Sequence, residues 1–199
     1  MTPIEEALAK SRGARFWKCA LQVNTGAYLA KWRGQHQTDL PAFNQNMLEA
    51  CRNHGIEVVG LADHDGFELY DDLAATLTAA GIKVFPGFEI TSLEGFHMVC
   101  LYALGTSSQR LREFRGALGV HLDDPIKPAD KGSLDIARTV LEKQGGVWYA
   151  PHMTQENGIL QLKRHDAWRE SRWVLAGHIP GSVEDLPSNY RQIVQNKKS

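Results

Sequence analysis

The run Ile56-Glu57-Val58-Val59-Gly60-Leu61-Ala62 constrains the fold more than any other part of the chain. It is of strand length, rich in β-branched residues and broken by a single charge, so it reads as a buried strand. It stops at Asp63-His64-Asp65 and Gly66, after which Phe67 to Ala80 reads as a helix. A strand that delivers three ionisable side chains just before a helix has the order of an α/β active-site edge, where function collects at the carboxyl ends of strands. The same residues also suit a polar turn in which an aspartate caps the next helix. Asp63, His64 and Asp65 are accordingly candidate catalytic residues, and the choice turns on whether other strands end in the same way.

The 199 residues, 43% apolar and 23% charged, can form one domain with a sizeable core. A net charge of -1, from 22 basic and 23 acidic residues, gives no overall basic footprint for nucleic acid and leaves only local patches to consider. Cys19, Cys51 and Cys100 are odd in number and widely spaced in apolar surroundings. They read as small core residues in a reducing compartment, not as a disulfide framework or a zinc site. No apolar run reaches membrane-spanning length, and Met1 to Ala14 lacks the apolar region of a secretory signal. The expectation is a cytoplasmic protein without a membrane partner.

Thr2-Pro3-Ile4 opens a predicted helix to about Lys10, and Arg15 to Asn24 is a first strand whose end places Gln22 and Asn24 on one face. Gly26 to Asp39 is a long loop in which Tyr28, Lys31, Trp32, Arg33 and His36 mix aromatics with cations, as substrate-side loops do and as plain surface loops do. Pro41 to His54 is an amphipathic helix. After the Phe67 helix come a short strand at Ile82 to Phe85, then Phe88-Glu89-Ile90, a turn at Glu94-Gly95, and a strand from Phe96 to Ala103 with His97 at its start. A glutamate between apolar neighbours is costly unless paired or ligating, and Glu89 and His97 lie on two arms that can face one another. Helices follow at Leu111 to Leu118 and Ser133 to Gln144. Gly146 to Ala150 is a strand ending at Pro151-His152. Met153 to Ser171 carries a local basic patch, including Lys163, Arg164 and Arg169, although a solvated helix face is the commoner reason for such a run. Trp173 to Gly177 is a last strand ahead of a C-terminal helix. Helices alternating with strands argue for a parallel α/β architecture, a barrel or a distorted one.

Four segments thus deliver His64, Glu89, His97 and His152, a ligand set for zinc, manganese or iron. Such an ion acidifies water and holds a phosphoryl oxygen. No two of these residues form a compact motif.

In order along the chain, Ile56 to Asp65, then Gly87-Phe88-Glu89-Ile90 with Gly95-Phe96-His97, then Gly145-Gly146-Val147-Trp148-Tyr149-Ala150-Pro151-His152 resemble the second, third and later motifs of the PHP (polymerase and histidinol phosphatase) superfamily of metal-dependent phosphoesterases. In the last segment the family's His and Pro are exchanged. The resemblance implies one domain over residues 1–199, a distorted (βα)7-type barrel incomplete at its C-terminus. It implies that Glu89, His97 and His152 hold one divalent metal (Mn, Zn or Fe) and that His64 serves another. The family's first motif, His-x-His, is represented here by Gln22-Val23-Asn24, poor ligands beside imidazole. Its last, Asp-x-His, has no counterpart, and His178 is a poor stand-in. Arg15-Phe16-Trp17-Lys18 and the missing last motif resemble the PHP region that begins large bacterial AAA-type ATPases of DNA handling and phage defence. That implies an amino-terminal fragment with an ATPase domain in the same parent chain.

The activity this implies is a nuclease acting on DNA or RNA, with Lys31, Arg33, Lys163, Arg164 and Arg169 as candidate phosphate-binding residues. The alternatives are a PHP-like scaffold without catalysis, which the degenerate Gln22 and Asn24 favour, and a small-molecule phosphatase.

Overall fold

The computed structural model describes residues 16–32, 39–64, 70–121, 124, 127–161, 176–179 and 181–196. The predicted helix near Thr2, most of the predicted Trp173 strand, and the candidates Asp65, Arg33, Lys163, Arg164 and Arg169 lie outside these residues.

The chain enters as strand β1 (Cys19–Val23) and turns at Thr25 into helix α1 (Gly26–Trp32). The sequence reading had a loop here. The helix starts because the Thr25 hydroxyl accepts the Tyr28 N–H at 3.2 Å and its carbonyl accepts the Leu29 N–H at 3.1 Å, the work of an N-cap. Helix α2 (Leu40–Asn53) is capped by Asp39, whose Oδ1 accepts the Ala42 N–H at 3.2 Å. Strand β2 (Val58–Leu61) is buried throughout. Helix α3 (Tyr70–Ala79) presents Tyr70, Leu73 and Leu77 to the core at helical spacing. Strands β3 (Lys83–Phe85), β4 (Gly87–Thr91) and β5 (His97–Leu101) follow, then helices α4 (Ser108–Ala117) and α5 (Ser133–Arg138). A π-helical turn at Thr139–Lys143 continues α5 into strand β6 (Val147–Tyr149), and helix α6 (Ser188–Asn196) comes last.

The strands form two three-stranded sheets, not the parallel barrel expected from the sequence. In the first, β1, β2 and β3 are parallel; in the second, β4, β5 and β6 are antiparallel. No closed barrel is formed among the described residues. The reason lies in the connections. Only residues 92–96 separate β4 from β5, enough for a hairpin but far short of a parallel crossover. Ala150 begins a further parallel bridge to Gly177 beyond the second sheet.

The sheets meet along β2 and β4. The Glu89 N–H bonds to the Asp63 carbonyl at 3.0 Å. Leu101 packs into the junction, and two glycines make room for it. A Cβ on Gly87 would lie 2.1 Å from the Cys100 carbonyl oxygen and 2.7 Å from a Leu101 methyl. One on Gly60 would lie 2.6 Å from the Leu21 carbonyl oxygen. The larger core gathers Leu61, Leu73, Leu77, Phe88, Ile90, Met98 and Trp148 between the sheets and their helices. Cys51 and Cys100 join it as expected, whereas Cys19 is exposed because β1 turns this edge position outward. Among the described residues no helix is long and apolar enough to cross a membrane.

Candidate metal centre

His64 follows β2 on a turn whose geometry is fixed by its neighbour. The Asp63 carboxylate accepts the Thr25 N–H at 2.9 Å and the Asn24 amide at 3.1 Å on Oδ1, and the Thr25 hydroxyl at 2.6 Å on Oδ2. Asn24 also donates to the Ala62 carbonyl at 3.2 Å. This buried clasp ties the end of β1 to the end of β2. It places His64, 7% exposed, against the second sheet.

There it meets Glu89. The β4–β5 register pairs Glu89 with Val99 and Thr91 with His97. Residues two apart on a strand share a face, so His97 reaches Glu89 diagonally from the facing strand. His152 arrives just past Ala150, at φ 29°, a positive value uncommon for residues other than glycine. Its backbone N–H donates to Nδ1 of the exposed His178 at 3.4 Å. Three imidazoles thus converge on one carboxylate. His64 Nε2 lies 3.2 Å from Glu89 Oε2, His97 Nδ1 lies 3.1 Å from Oε1, and His152 Nε2 lies 3.3 Å from Oε1. The ring centroids of His64 and His97 are 4.7 Å apart, and those of His97 and His152 5.2 Å.

Glu89 is 5% exposed. Burial alone would raise its pKa, yet hydrogen bonds from His152, His64 and His97 hold it far below the ordinary carboxyl value of 4.5. It is an anion in the folded protein at neutral pH.

With Glu89 ionised, the contacts on Oε1 have a feature that hydrogen bonding does not satisfy. His97 Nδ1 and His152 Nε2 are also 3.3 Å from each other, so the two nitrogens and the oxygen form a nearly equilateral triangle. An imidazole nitrogen is either a donor or a lone pair. If both donate to Oε1, two N–H groups confront each other. If one donates to the other, the accepting nitrogen turns its lone pair towards the carboxylate. A cation over the face removes the conflict, because all three atoms then offer lone pairs to it. For metal–ligand bonds of about 2.1 Å, neighbouring ligands are separated by about 3.0 Å in an octahedron and about 3.4 Å in a tetrahedron, which brackets the observed edges. One ring nitrogen each of His64 and His97 and a Glu89 oxygen form a second, looser group, within 4.8 Å of one another. The buried Nδ1 atoms of His64 and His152, on the far side of each ring from the nitrogens that face Glu89, have no hydrogen-bond partner among the described residues. The donor set therefore fits a divalent ion of the imidazole-binding kind.

The structure thus brings together His64, Glu89, His97 and His152. Asp63 sits beside them with its carboxylate taken up by Asn24 and Thr25. Gln22 lines a separate groove of about 660 Å³ between β1 and β6, together with Leu21, Tyr149 and His178. Lys31 is exposed at the end of α1. Sequence reasoning passed over Thr25 and Tyr70, whose hydroxyls set the backbone around His64. Thr25 directly before a stretch of helix formers was the one signal that could have marked it.

No known protein-family profile matches the sequence, and no curated protein matches it significantly. Among solved structures, the chain is similar to a crystal structure from Bifidobacterium adolescentis described as a candidate metal-dependent phosphoesterase. The TM-score is 0.51 at 15% sequence identity, over 94% of this chain and 86% of the other. At that identity the likeness is one of fold, and it extends over almost the whole length of this α/β chain.

Proposed function

We propose that this chain is a metal-dependent phosphoesterase of the PHP type that hydrolyses nucleic-acid phosphodiesters, with its centre confined to the Glu89 cluster. The observation that carries the reading is the triangle of His97 Nδ1, His152 Nε2 and Glu89 Oε1, whose edges of 3.1, 3.3 and 3.3 Å hydrogen bonds alone leave in conflict. The fold likeness supports it independently. His97, His152 and Glu89 Oε1 would hold one divalent ion, and His64 with Glu89 Oε2 would contribute to a second position. The ion, when bound, supplies positive charge against a phosphoryl oxygen and acidifies a water molecule. The chain's own part is to keep Glu89 anionic, to fix the rings by burial, and to hold substrate phosphates through cations such as Lys31.

The state of the first motif supports a second reading, a scaffold that binds without turnover. The Asn24 amide points an N–H at Asp63 in place of a ligand, and each Asp63 oxygen already accepts hydrogen bonds. Elemental analysis of the purified protein beside a Glu89→Ala, His97→Ala, His152→Ala variant, followed by cleavage assays on labelled oligonucleotides with added manganese, decides between them. Metal bound by the wild type alone together with cleavage supports the nuclease. Metal without cleavage of oligonucleotides or phosphomonoesters supports the scaffold. No uptake on titration overturns the metal-dependent reading.

A further inference from the structure

His64 is delivered by the parallel sheet and Glu89 by the antiparallel one, so their 3.2 Å contact crosses the junction between two independently built halves. A single side chain spans that junction on either side of the contact. Tyr70, the first residue of α3, is 2% exposed. Its hydroxyl accepts the Asp63 N–H at 3.1 Å and donates to the Gly87 carbonyl at 2.7 Å. Asp63 adjoins His64, and Gly87 precedes Glu89 by two residues on β4, so the same face of that strand carries both. We infer that Tyr70 is a positioning residue, whose hydroxyl sets the approach of His64 to Glu89 and through it the metal affinity of the centre.

The residue type suits the task. A phenol offers a donor and an acceptor on one atom at the end of a rigid ring. That ring belongs to the helix face that also buries Leu73 and Leu77, so the hydroxyl is held from the core. Neither tied group is itself a metal ligand. Partners one step removed from the ligands commonly change metal affinity by about 10–100-fold. The part concerning affinity rests on the phosphoesterase reading; the part concerning His64 does not.

The test compares Tyr70→Phe with Tyr102→Phe. Tyr102 is also buried, and its hydroxyl donates to Gln144 Oε1 at 2.6 Å, in a different network. Tyr70→Phe loses two phenol hydrogen bonds and Tyr102→Phe one, so urea unfolding should register a loss in both, the larger in Tyr70→Phe. In metal-free protein at fixed pH, histidine side-chain 15N NMR should show the His64 nitrogens shifted in Tyr70→Phe and unmoved in Tyr102→Phe. Calorimetric titration with Mn2+ should give about 10–100-fold weaker binding for Tyr70→Phe and a value within about twofold of wild type for Tyr102→Phe. Unmoved His64 resonances in Tyr70→Phe overturn the inference, as does an equal loss of affinity in both variants. A Tyr70→Phe chain that fails to fold while Tyr102→Phe folds assigns the hydroxyl to the fold and overturns it too. Absence of metal uptake by the wild type overturns the phosphoesterase reading alone, and the His64 resonances then still decide the role of Tyr70.

Discussion

Replacing Glu89 by Gln separates what the carboxylate does for the fold from what it does for a metal. The side chain keeps its shape and loses its charge. In the metal-free protein the Gln carbonyl can still accept from one of His97 and His152, and its amide can donate to His64 in the other tautomer. The loss is then the difference between charge-assisted and neutral hydrogen bonds, roughly 1 kcal/mol for each of the two hydrogen bonds that can form at once, one on each Glu89 oxygen. No longer burying a charge offsets part of it, and the net cost is about 1–2 kcal/mol. Metal binding behaves differently, because the cluster of His64, Glu89, His97 and His152 loses its carboxylate. With free metal at 100 times the wild-type Kd, binding stabilises the folded state by about 2.7 kcal/mol, and a 100-fold weaker Kd cuts that to about 0.4 kcal/mol. Urea unfolding with and without Mn2+ measures both quantities. Acid adds a signed check. The folded-state pKa of Glu89 lies below 4.5, so its share of stability is present above that value and is lost as the pH falls through the lower one. The metal-free difference between wild type and Glu89→Gln should shrink below about pH 4.5. A Glu89→Gln protein that keeps the full metal-induced increment refutes the reasoning, however stable it is.

Three other outcomes follow from the packing. Thr25→Val removes the 2.6 Å bond to Asp63 and the cap on Tyr28, and should cost about 1.5–3 kcal/mol in urea unfolding. Gly87→Ala puts a methyl group into the Cys100 carbonyl and Leu101, so it should prevent folding, seen as insoluble expression or loss of near-UV dichroism. Iodoacetamide followed by mass spectrometry should modify the exposed Cys19 in the native protein and spare Cys100, whose thiol burial pushes well above its ordinary value; only denaturant should open Cys100.

Local patterns in the sequence reveal the residues of the Glu89 cluster better than they reveal the architecture. His64 and His152 were legible because each follows an apolar strand, and Glu89 and His97 because a turn at Glu94-Gly95 folds two such strands together. The strand at β4 and its hairpin partner therefore emerged with the right face inward. The division into a parallel and an antiparallel sheet did not, because alternation of helices and strands was extended past residues 92–96, where the connection is too short for a crossover. The clasp of Asp63 by Thr25 and Asn24 joins residues 38 and 39 positions apart, and no local spacing encodes it. The Tyr70 hydroxyl is hidden in the same way, since a tyrosine at helical spacing among leucines reads as core. Helix α1 was a different failure. Its Ala, Leu and Lys favour a helix, but the glycine at its start and the mixed aromatics drew attention to their chemistry instead.

The backbone of His152 gives the centre a property that its ligands do not. At φ 29° this residue occupies a region natural to glycine or asparagine, at a cost of order 1–3 kcal/mol for an imidazole-bearing residue. Deleting a half-buried side chain ordinarily weakens a protein. Here the exchange His152→Gly relieves backbone strain as it removes the ring, so the metal-free protein should be more resistant to heat than His152→Ala, which loses the same ring and keeps the strain.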